Sequence, residues 1–449
     1  MMRLAYFCYR IGSTILYRLG RRLTGAGWLA LTAMVWTGAI GVDLEQSVAS
    51  QTFAVLLSLF VVAILWAFLF RIRFSAERLL PRFGSVGHPF VYRVSVRNLG
   101  VKRWPELELF DELADRLPTW KQFNEARRSG AGSRSFRLTK IKPDSAGHRR
   151  AAVKSVSLPP LLPRGEAEAR LEVVPLKRGP LRLKGLALTL RDPLGLIRGF
   201  ARLSRSQMVL ILPKRYLLPA IALPGAHKYQ QGGVALAASV GESEEFVSVR
   251  DYRPGDPLRH VHWRSTARTG RLVVKEFEDE FFVRHALVLD TFGAPEQAEA
   301  FEEAVSVAAS FAATVATQES LLDLMFVGAR AVCFTTGRGM AHAEQALEIL
   351  ASVQPCGTQA FNALETLVLQ HASLVSGCIC IFLAWDKARR DLIQKLTTFG
   401  LPLLVMVITD EAGAEQLNSL APSECPRNFC VLQVGKIQAG LRDLERVDV

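Results

Sequence analysis

The chain has 449 residues, 49% of them hydrophobic and 22% charged, with a formal net charge of +13. That length holds two or three domains, each able to bury its own core. Seven cysteines, at 8, 333, 356, 378, 380, 425 and 430, are odd in number, include no C-x-x-C pair and mostly lie in apolar runs, which argues against a disulfide framework and for a reducing compartment. The charge is uneven: residues 1–280 carry 44 Lys/Arg against 23 Asp/Glu, and residues 281–449 carry 11 against 19. A basic half followed by an acidic one suits an anionic surface for the first, either phospholipid headgroups or nucleic acid.

Arg3, Arg10, Arg18, Arg21 and Arg22 open the chain with no acidic residue among them. Thr24 to Val42 is then 19 uncharged residues, about 28 Å of helix and enough to cross a bilayer core. Thr52 to Phe70 is a second such run. The loop between them is short and acidic, and Arg71, Arg73, Arg78 and Arg82 follow, so the positive-inside bias predicts a two-helix transmembrane hairpin (24–42, 52–70) with both termini and the soluble domains in the cytoplasm. No small-residue cleavage site ends the first run, which argues against a cleaved signal peptide.

From 84 to 213 the pattern turns to short strands. Phe90, Tyr92, Val94 and Val96 alternate with polar or small residues, and Leu107/Leu109, Leu171/Val173 and Leu181/Leu183 continue the period of two, predicting an all-β sandwich of immunoglobulin-like type or a barrel. Lys121 to Arg191 holds 17 Lys/Arg and five Asp/Glu, a basic surface that either solubilises the domain or lies against anionic headgroups. Residues 214–241 read as a Pro/Gly/Ala-containing linker.

Residues 242–280 are dense in both signs of charge. Pro254-Gly255-Asp256-Pro257 predicts a turn and Gly270 a second one, with a strand from Arg271 to Phe277. Between the turns Arg259, His262, Trp263, Arg264 and Arg268 recur at helical spacing, placing Arg264 beside Arg268. With Asp251, Asp256, Glu276 and Glu278 close by, the stretch predicts an internal salt-bridge network that staples the β and α/β domains, and secondly a partner surface; on that reading, replacing Arg250 or Trp263 with Ala lowers stability. His260-x-His262 is the one metal-like His pair, and it has no identifiable further ligands.

Residues 281–449 read as an α/β domain. Strands are expected at Ala286–Leu289, Leu322–Val327, Ala331–Phe334, Cys378–Leu383, Leu403–Ile408 and Phe429–Val434, with a helix over Glu296–Gln318. Gly328-Ala329-Arg330 leaves room only for a hairpin, so the sheet is mostly parallel with one antiparallel edge. No G-x-x-x-x-G-K-[ST] loop, G-x-S-x-G elbow, H-E-x-x-H pair or C-x-x-C spacing occurs, and no catalytic residue or cofactor is assigned.

The string EEFxxxRDYRPGDPLRHxHWRSTARTGRLVVKEFE closely resembles the signature of the bacterial family named domain of unknown function 58 (DUF 58), and RDPLGL at Arg191–Leu196 with the two apolar runs agrees with it. The resemblance implies a membrane-anchored protein of the bacterial inner membrane, with a β-domain and a von Willebrand factor A-like domain, often encoded beside a MoxR-type AAA+ ATPase. Its signature positions here are Glu245, Phe246, Arg250, Tyr252, Gly255, Asp256, Arg259, His262, Trp263, Ser265, Ala267, Arg268, Gly270, Leu272 and Glu276. The expected function is a non-enzymatic interaction or scaffold protein working with that ATPase in protein or complex maturation. The alternatives are a hydrolase-type enzyme on the α/β domain, and binding of an anionic surface or nucleic acid by the β-domain.

A metal-binding von Willebrand factor A domain carries Asp-x-Ser-x-Ser after its first strand, supplying hard oxygen ligands to Mg²⁺. Here the place reads Asp290-Thr291-Phe292-Gly293-Ala294, and a second loop reads Ala384-Trp385-Asp386. Only the carboxylates Asp290 and Asp386 match, so the expectation is a degenerate metal site.

Overall fold

The computed structural model describes residues 2–40, 48–114, 150–219, 246–256, 258–277, 284–294, 297–315, 321–337, 340–357, 359–419 and 425–446. Contacts divide the chain into two compact units, Met1–Lys214 with Leu350–Ser352, and Arg215–Ile349 with Val353–Val449. The expected linker falls mostly outside the described residues, as does much of the basic run after Lys121.

The first unit begins with three helices, α1 (Met2–Arg22), α2 (Gly25–Ile40) and α3 (Val48–Leu69). Apolar side chains on every face distinguish α2 and α3 from the arginine-bearing α1. The described part of α2 has 16 residues. With 22 residues and a mean hydropathy of 2.6, α3 is long and apolar enough to cross a membrane. The two helices pack together: Gly38 faces the Phe53 ring, where a Cβ would stand 3.1 Å away, and Ala30, Leu31 and Met34 meet the cluster of Phe60 and Ala63.

Among the described residues nine strands follow in the same unit: β1 (Phe74–Leu79), β2 (Phe83–Ser85), β3 (Phe90–Asn98), β4 (Leu107–Leu113), β5 (Ala151–Val153), β6 (Val156–Leu158), β7 (Glu166–Pro175), β8 (Gly179–Arg191) and β9 (Arg198–Leu212). They form two sheets, ordered β1-β3-β7-β5 and β2-β9-β8-β4-β6. Period-two alternation makes each sheet apolar on one face, and Tyr92, Val94, Leu171 and Val173 of one meet Leu109, Leu186, Leu188 and Ile211 of the other in one core. The domain is thus a two-sheet sandwich. Its first strand starts at Phe74, ahead of the boundary expected at 84, because Phe74 and Ala76 are buried core residues behind the arginines that disguise them.

A charged cluster is sealed inside this sandwich. Arg78 of β1 donates Nε and Nη2 to Asp111 of β4 at 2.9 and 2.8 Å, Tyr92 Oη donates to the same carboxylate at 2.5 Å, and Arg78 Nη1 reaches the Arg205 carbonyl at 2.6 Å. Burial raises the Asp111 pKa from its ordinary value, opposed by the Arg78 charge and the Tyr92 hydroxyl. The group ties the two sheets in register.

The RDPLGL stretch forms the β8–β9 turn. Gly195 takes φ 69°, its N–H donates to the Asp192 carbonyl at 2.9 Å, and Asp192 Oδ1 accepts the Ile197 N–H at 2.7 Å. This turn holds the start of α2. The Thr24 N–H donates to the Leu196 carbonyl at 3.0 Å, and Gly27 lies so close that a Cβ there would stand 2.1 Å from that oxygen. Arg21 at the end of α1 lies over the Phe110 ring at 4.6 Å.

The second unit opens with an antiparallel pair, β10 (Phe246–Asp251) and β11 (Val273–Phe277), enclosing helix α4 (Trp263–Thr269). Then come β12 (Arg284–Leu289), α5 (Ala298–Val315), β13 (Leu321–Val327), β14 (Ala331–Thr336), α6 (Met340–Ser352), α7 (Asn362–His371), β15 (Gly377–Phe382), α8 (Lys387–Thr398), β16 (Leu403–Thr409), α9 (Glu411–Asn418), β17 (Phe429–Gln433) and α10 (Ile437–Arg442). The sheet order is β14-β13-β12-β15-β16-β17, parallel except for β14, which returns by a hairpin through Gly328.

Strands buried on both faces explain the unbroken apolar runs. Ala286, Val288, Cys380, Phe382, Val405 and Val407 share a core with Leu364, Val368, Leu392 and Leu396 of α7 and α8. Helix α5 buries Phe301, Val305, Ala308 and Ala312, as its spacing predicts. From β12 and β15 the order runs outward in both directions, which makes their carboxyl ends the switch point where open α/β sheets form their crevice.

Candidate functional site

The signature stretch folds as a small closed module. Gly255 takes φ 107° in the turn, where the Asp256 N–H donates to the Arg253 carbonyl at 3.0 Å; Pro257 lies outside the described residues. Arg250 grips Asp256 with two parallel bonds of 2.7 and 2.9 Å, and the Arg253 N–H adds a third donor at 2.8 Å. These bonds, led by the Arg250 side chain, lower the Asp256 pKa to about 2.

Helix α4 has both ends fixed. His262 Nδ1 accepts the Ser265 N–H at 3.3 Å and lies 2.6 Å from Ser265 Oγ, so this histidine is an N-cap. Gly270 at φ 69° closes the helix, its N–H donating to the Thr266 carbonyl at 3.0 Å. Tyr252 N–H to Leu272 O (2.9 Å) and His262 N–H to Val273 O (2.8 Å) tie the helix to the strands, over buried Val261, Val273 and Val274. Thr266, which the sequence reading did not single out, accepts the Val273 N–H at 3.1 Å.

Other signature residues are distributed around this frame. Arg259 Nε donates to His260 Nε2 at 3.1 Å, occupying the first histidine of the metal-like pair. Phe246 is in register with Phe277 and Glu276 with Ser248. Glu245 lies outside the described residues. Ala267 and Arg268 are exposed on α4, and Leu272 is 43% exposed.

Of the expected salt-bridge network, the pair of Arg250 with Asp256 forms among the described residues, and Glu278 and the Glu276 side chain lie outside them. Arg253, Arg264, Arg268 and Arg271 are exposed and form no ion pair there, and Trp263 is 65% exposed. A stabilising role for Trp263 is corrected by its exposure.

The switch point holds a second constellation. Asp290 ends β12 fully buried, and Asp386 caps α8 by accepting the Arg389 N–H at 3.1 Å. Between them lies the Arg389 guanidinium. Its Nε donates to Asp290 Oδ2 at 2.7 Å, Nη1 to Asp386 Oδ2 at 2.5 Å and Nη2 to the Phe292 carbonyl at 3.0 Å, with the ring of Phe361 4.8 Å away. The Leu383 and Phe292 N–H groups complete Asp290 at 3.1 and 2.8 Å. Burial raises the Asp290 pKa, opposed by the Arg389 charge and these two donors.

These residues do not fit a divalent ion. The carboxylate faces are taken by a guanidinium, Phe292 and Ala294 bring no side-chain oxygen, and the Thr291 hydroxyl donates to the Val327 carbonyl at 2.5 Å. The sequence reading missed Arg389 because its partner Asp290 is 99 residues away.

The geometry defines a doubly wound α/β unit with a capped hairpin module before its first strand. Residues 248–407 match the family described as Protein of unknown function DUF58, a region that includes both constellations. The uncharacterized protein YeaD of Bacillus subtilis (strain 168) is 28% identical over 182 residues, 40% of this chain and 44% of that protein, so the match spans less than half of the relative's length. Among solved structures, the CARDB domain of the PF1109 protein from Pyrococcus furiosus is 14% identical with a TM-score of 0.17, covering 32% of this chain and 91% of that one. The native conformation of E. coli alpha-2-macroglobulin is 13% identical with a TM-score of 0.18, covering 39% and 9%.

Proposed function

We propose that this chain is a membrane-anchored, non-enzymatic interaction protein of the bacterial inner membrane, and that its signature module presents a basic and aromatic face to a MoxR-type AAA+ ATPase. One observation carries the reading. The side chains that hold the module together, those of Arg250, Asp256, His262 and Thr266, are distinct from the side chains it exposes, those of Arg253, Trp263, Arg264, Arg268 and Arg271. Exposed arginines around a tryptophan are the composition of an interaction hot spot for an acidic surface. The partner's identity comes from the family resemblance.

In this reading α2 and α3 form the two-span hairpin, with both termini and both soluble units in the cytoplasm. The α/β unit is von Willebrand factor A-like, with its metal site replaced by Arg389, so partner contact through it is metal-independent. The test is a photo-crosslinking side chain substituted at Trp263 and, as a control, at the exposed Val91 of the sandwich. A cross-link to the ATPase from position 263 alone, unaffected by EDTA, is the expected result. Equal labelling from both positions, or capture abolished by EDTA and restored by Mg²⁺, contradicts the proposal.

A further inference from the structure

At the end of α3 the chain builds a cavity of about 470 Å³ lined by Trp66, Leu69, Phe70, Arg71, Arg73 and Lys102, with Trp104, Asn98, Gly100 and Val101 completing it. Its wall is a rigid aromatic set: Trp66 stacks on Phe70 with centroids 5.9 Å apart, and Phe70 meets Trp104 edge-on at 5.4 Å. Its floor is clipped by the buried Asn98. That side chain donates to the carbonyls of Lys102 and Leu162 at 2.8 and 3.0 Å and accepts the Gly100 N–H at 2.9 Å.

Two kinds of group are left facing outward. Arg71 and Arg73 are exposed and make no ion pair among the described residues, and Lys102 stands 4.8 Å from the Trp104 ring centre. Beside these cations Leu69, Leu99 and Val101 are 80, 56 and 82% exposed. Three cations, a tryptophan wall and an apolar rim around one cavity at the end of a candidate spanning helix match the chemistry of the bilayer interface.

We propose that this cavity binds the phosphate of an anionic phospholipid headgroup, with Leu69, Leu99 and Val101 against the upper acyl chains. The inference rests on the membrane-anchored reading and adds a specific lipid site to it. Arg71, Arg73 and Lys102 neutralise the phosphate, the half-buried Trp66 fixes the depth of the helix end against the buried Trp104, and Asn98 holds the loop so that Lys102 faces the same space as the two arginines. The sandwich, whose core already takes in Phe70 at the end of α3, is thereby held at the membrane surface.

The full chain, purified from membranes in mild detergent, is examined by native mass spectrometry for retained phosphatidylglycerol and phosphatidylcholine. The parent is expected to retain phosphatidylglycerol selectively. Arg71→Gln/Arg73→Gln/Lys102→Gln is expected to weaken retention on the order of a hundredfold, since each surface cation contributes roughly fivefold. A control that removes the same charge from the exposed sandwich face, Arg93→Gln/Arg97→Gln/Arg170→Gln, is expected to retain lipid like the parent. Equal retention by parent and pocket variant, equal loss in the control, or displacement by millimolar inorganic phosphate overturns the headgroup site. Release of the parent from membranes by alkaline carbonate overturns the anchoring itself and the site with it.

Discussion

Arg389 illustrates how one side chain can hold two carboxylates and a loop carbonyl together at the switch point. A guanidinium offers five donors in a fixed plane, and here Asp290, Asp386 and the Phe292 carbonyl are arranged around that plane. Removing it strands the buried Asp290 carboxyl without its counter-charge and two hydrogen-bonded groups without a donor, so Arg389→Ala is expected to cost about 3–5 kcal/mol, and Arg389→Lys to recover only part because an ammonium cannot fork. Chemical denaturation measures both; a loss below about 1 kcal/mol would mean the pair is not the lock of the switch point. Asp256 gives a pH signature. Its folded pKa near 2 lies below the unfolded value of about 3.9, so its contribution is complete above that value and is lost as pH falls toward 2. A carboxyl titration by NMR is expected to show a midpoint near 2 in the parent, and a midpoint near 4 would contradict the Arg250 grip.

At the scale of elements, the sequence made the regular parts plain and the paired parts obscure. Apolar runs such as 378–383 and 403–408 announced strands, Gly255 and Gly270 announced the turns that positive φ requires, and the arginine spacing announced α4. The pairing of charges was not readable, because a run such as Arg250 to Arg271 does not reveal which guanidinium folds back on which carboxylate. The same limit hid the start of the sandwich: Arg73 and Arg78 suggest an exposed flank, yet Arg78 is buried against Asp111 by a strand that lies 33 residues away. Within the module this division makes a distinct prediction. Trp263→Ala is expected to change unfolding free energy by no more than about 0.5 kcal/mol, as for other exposed positions, whereas Gly270→Ala, which forces φ 69° on a residue with a Cβ, is expected to cost about 1 kcal/mol. A large loss from Trp263→Ala would show that the exposed ring packs on something in solution.

For the whole molecule, the charge division follows the architecture. The basic half contains α1 to α3, the sandwich and the signature module, and the acidic half contains the α/β sheet. That order is suited to a chain held at an anionic membrane surface, and a reporter fused after residue 83 is expected to be active only in its cytoplasmic form. Periplasmic activity there would invert the topology. The central claim, that the exposed face of the signature module is a recognition surface independent of its own folding, is tested most directly by replacing Arg253, Arg264, Arg268 and Arg271 with Ala together. Binding of the purified MoxR-type ATPase to the detergent-solubilised chain is then measured beside its melting curve. The account predicts that affinity falls by about two orders of magnitude while the melting temperature stays within about 1 °C of the parent; undiminished binding, or a collapse of the fold with the binding, would contradict it.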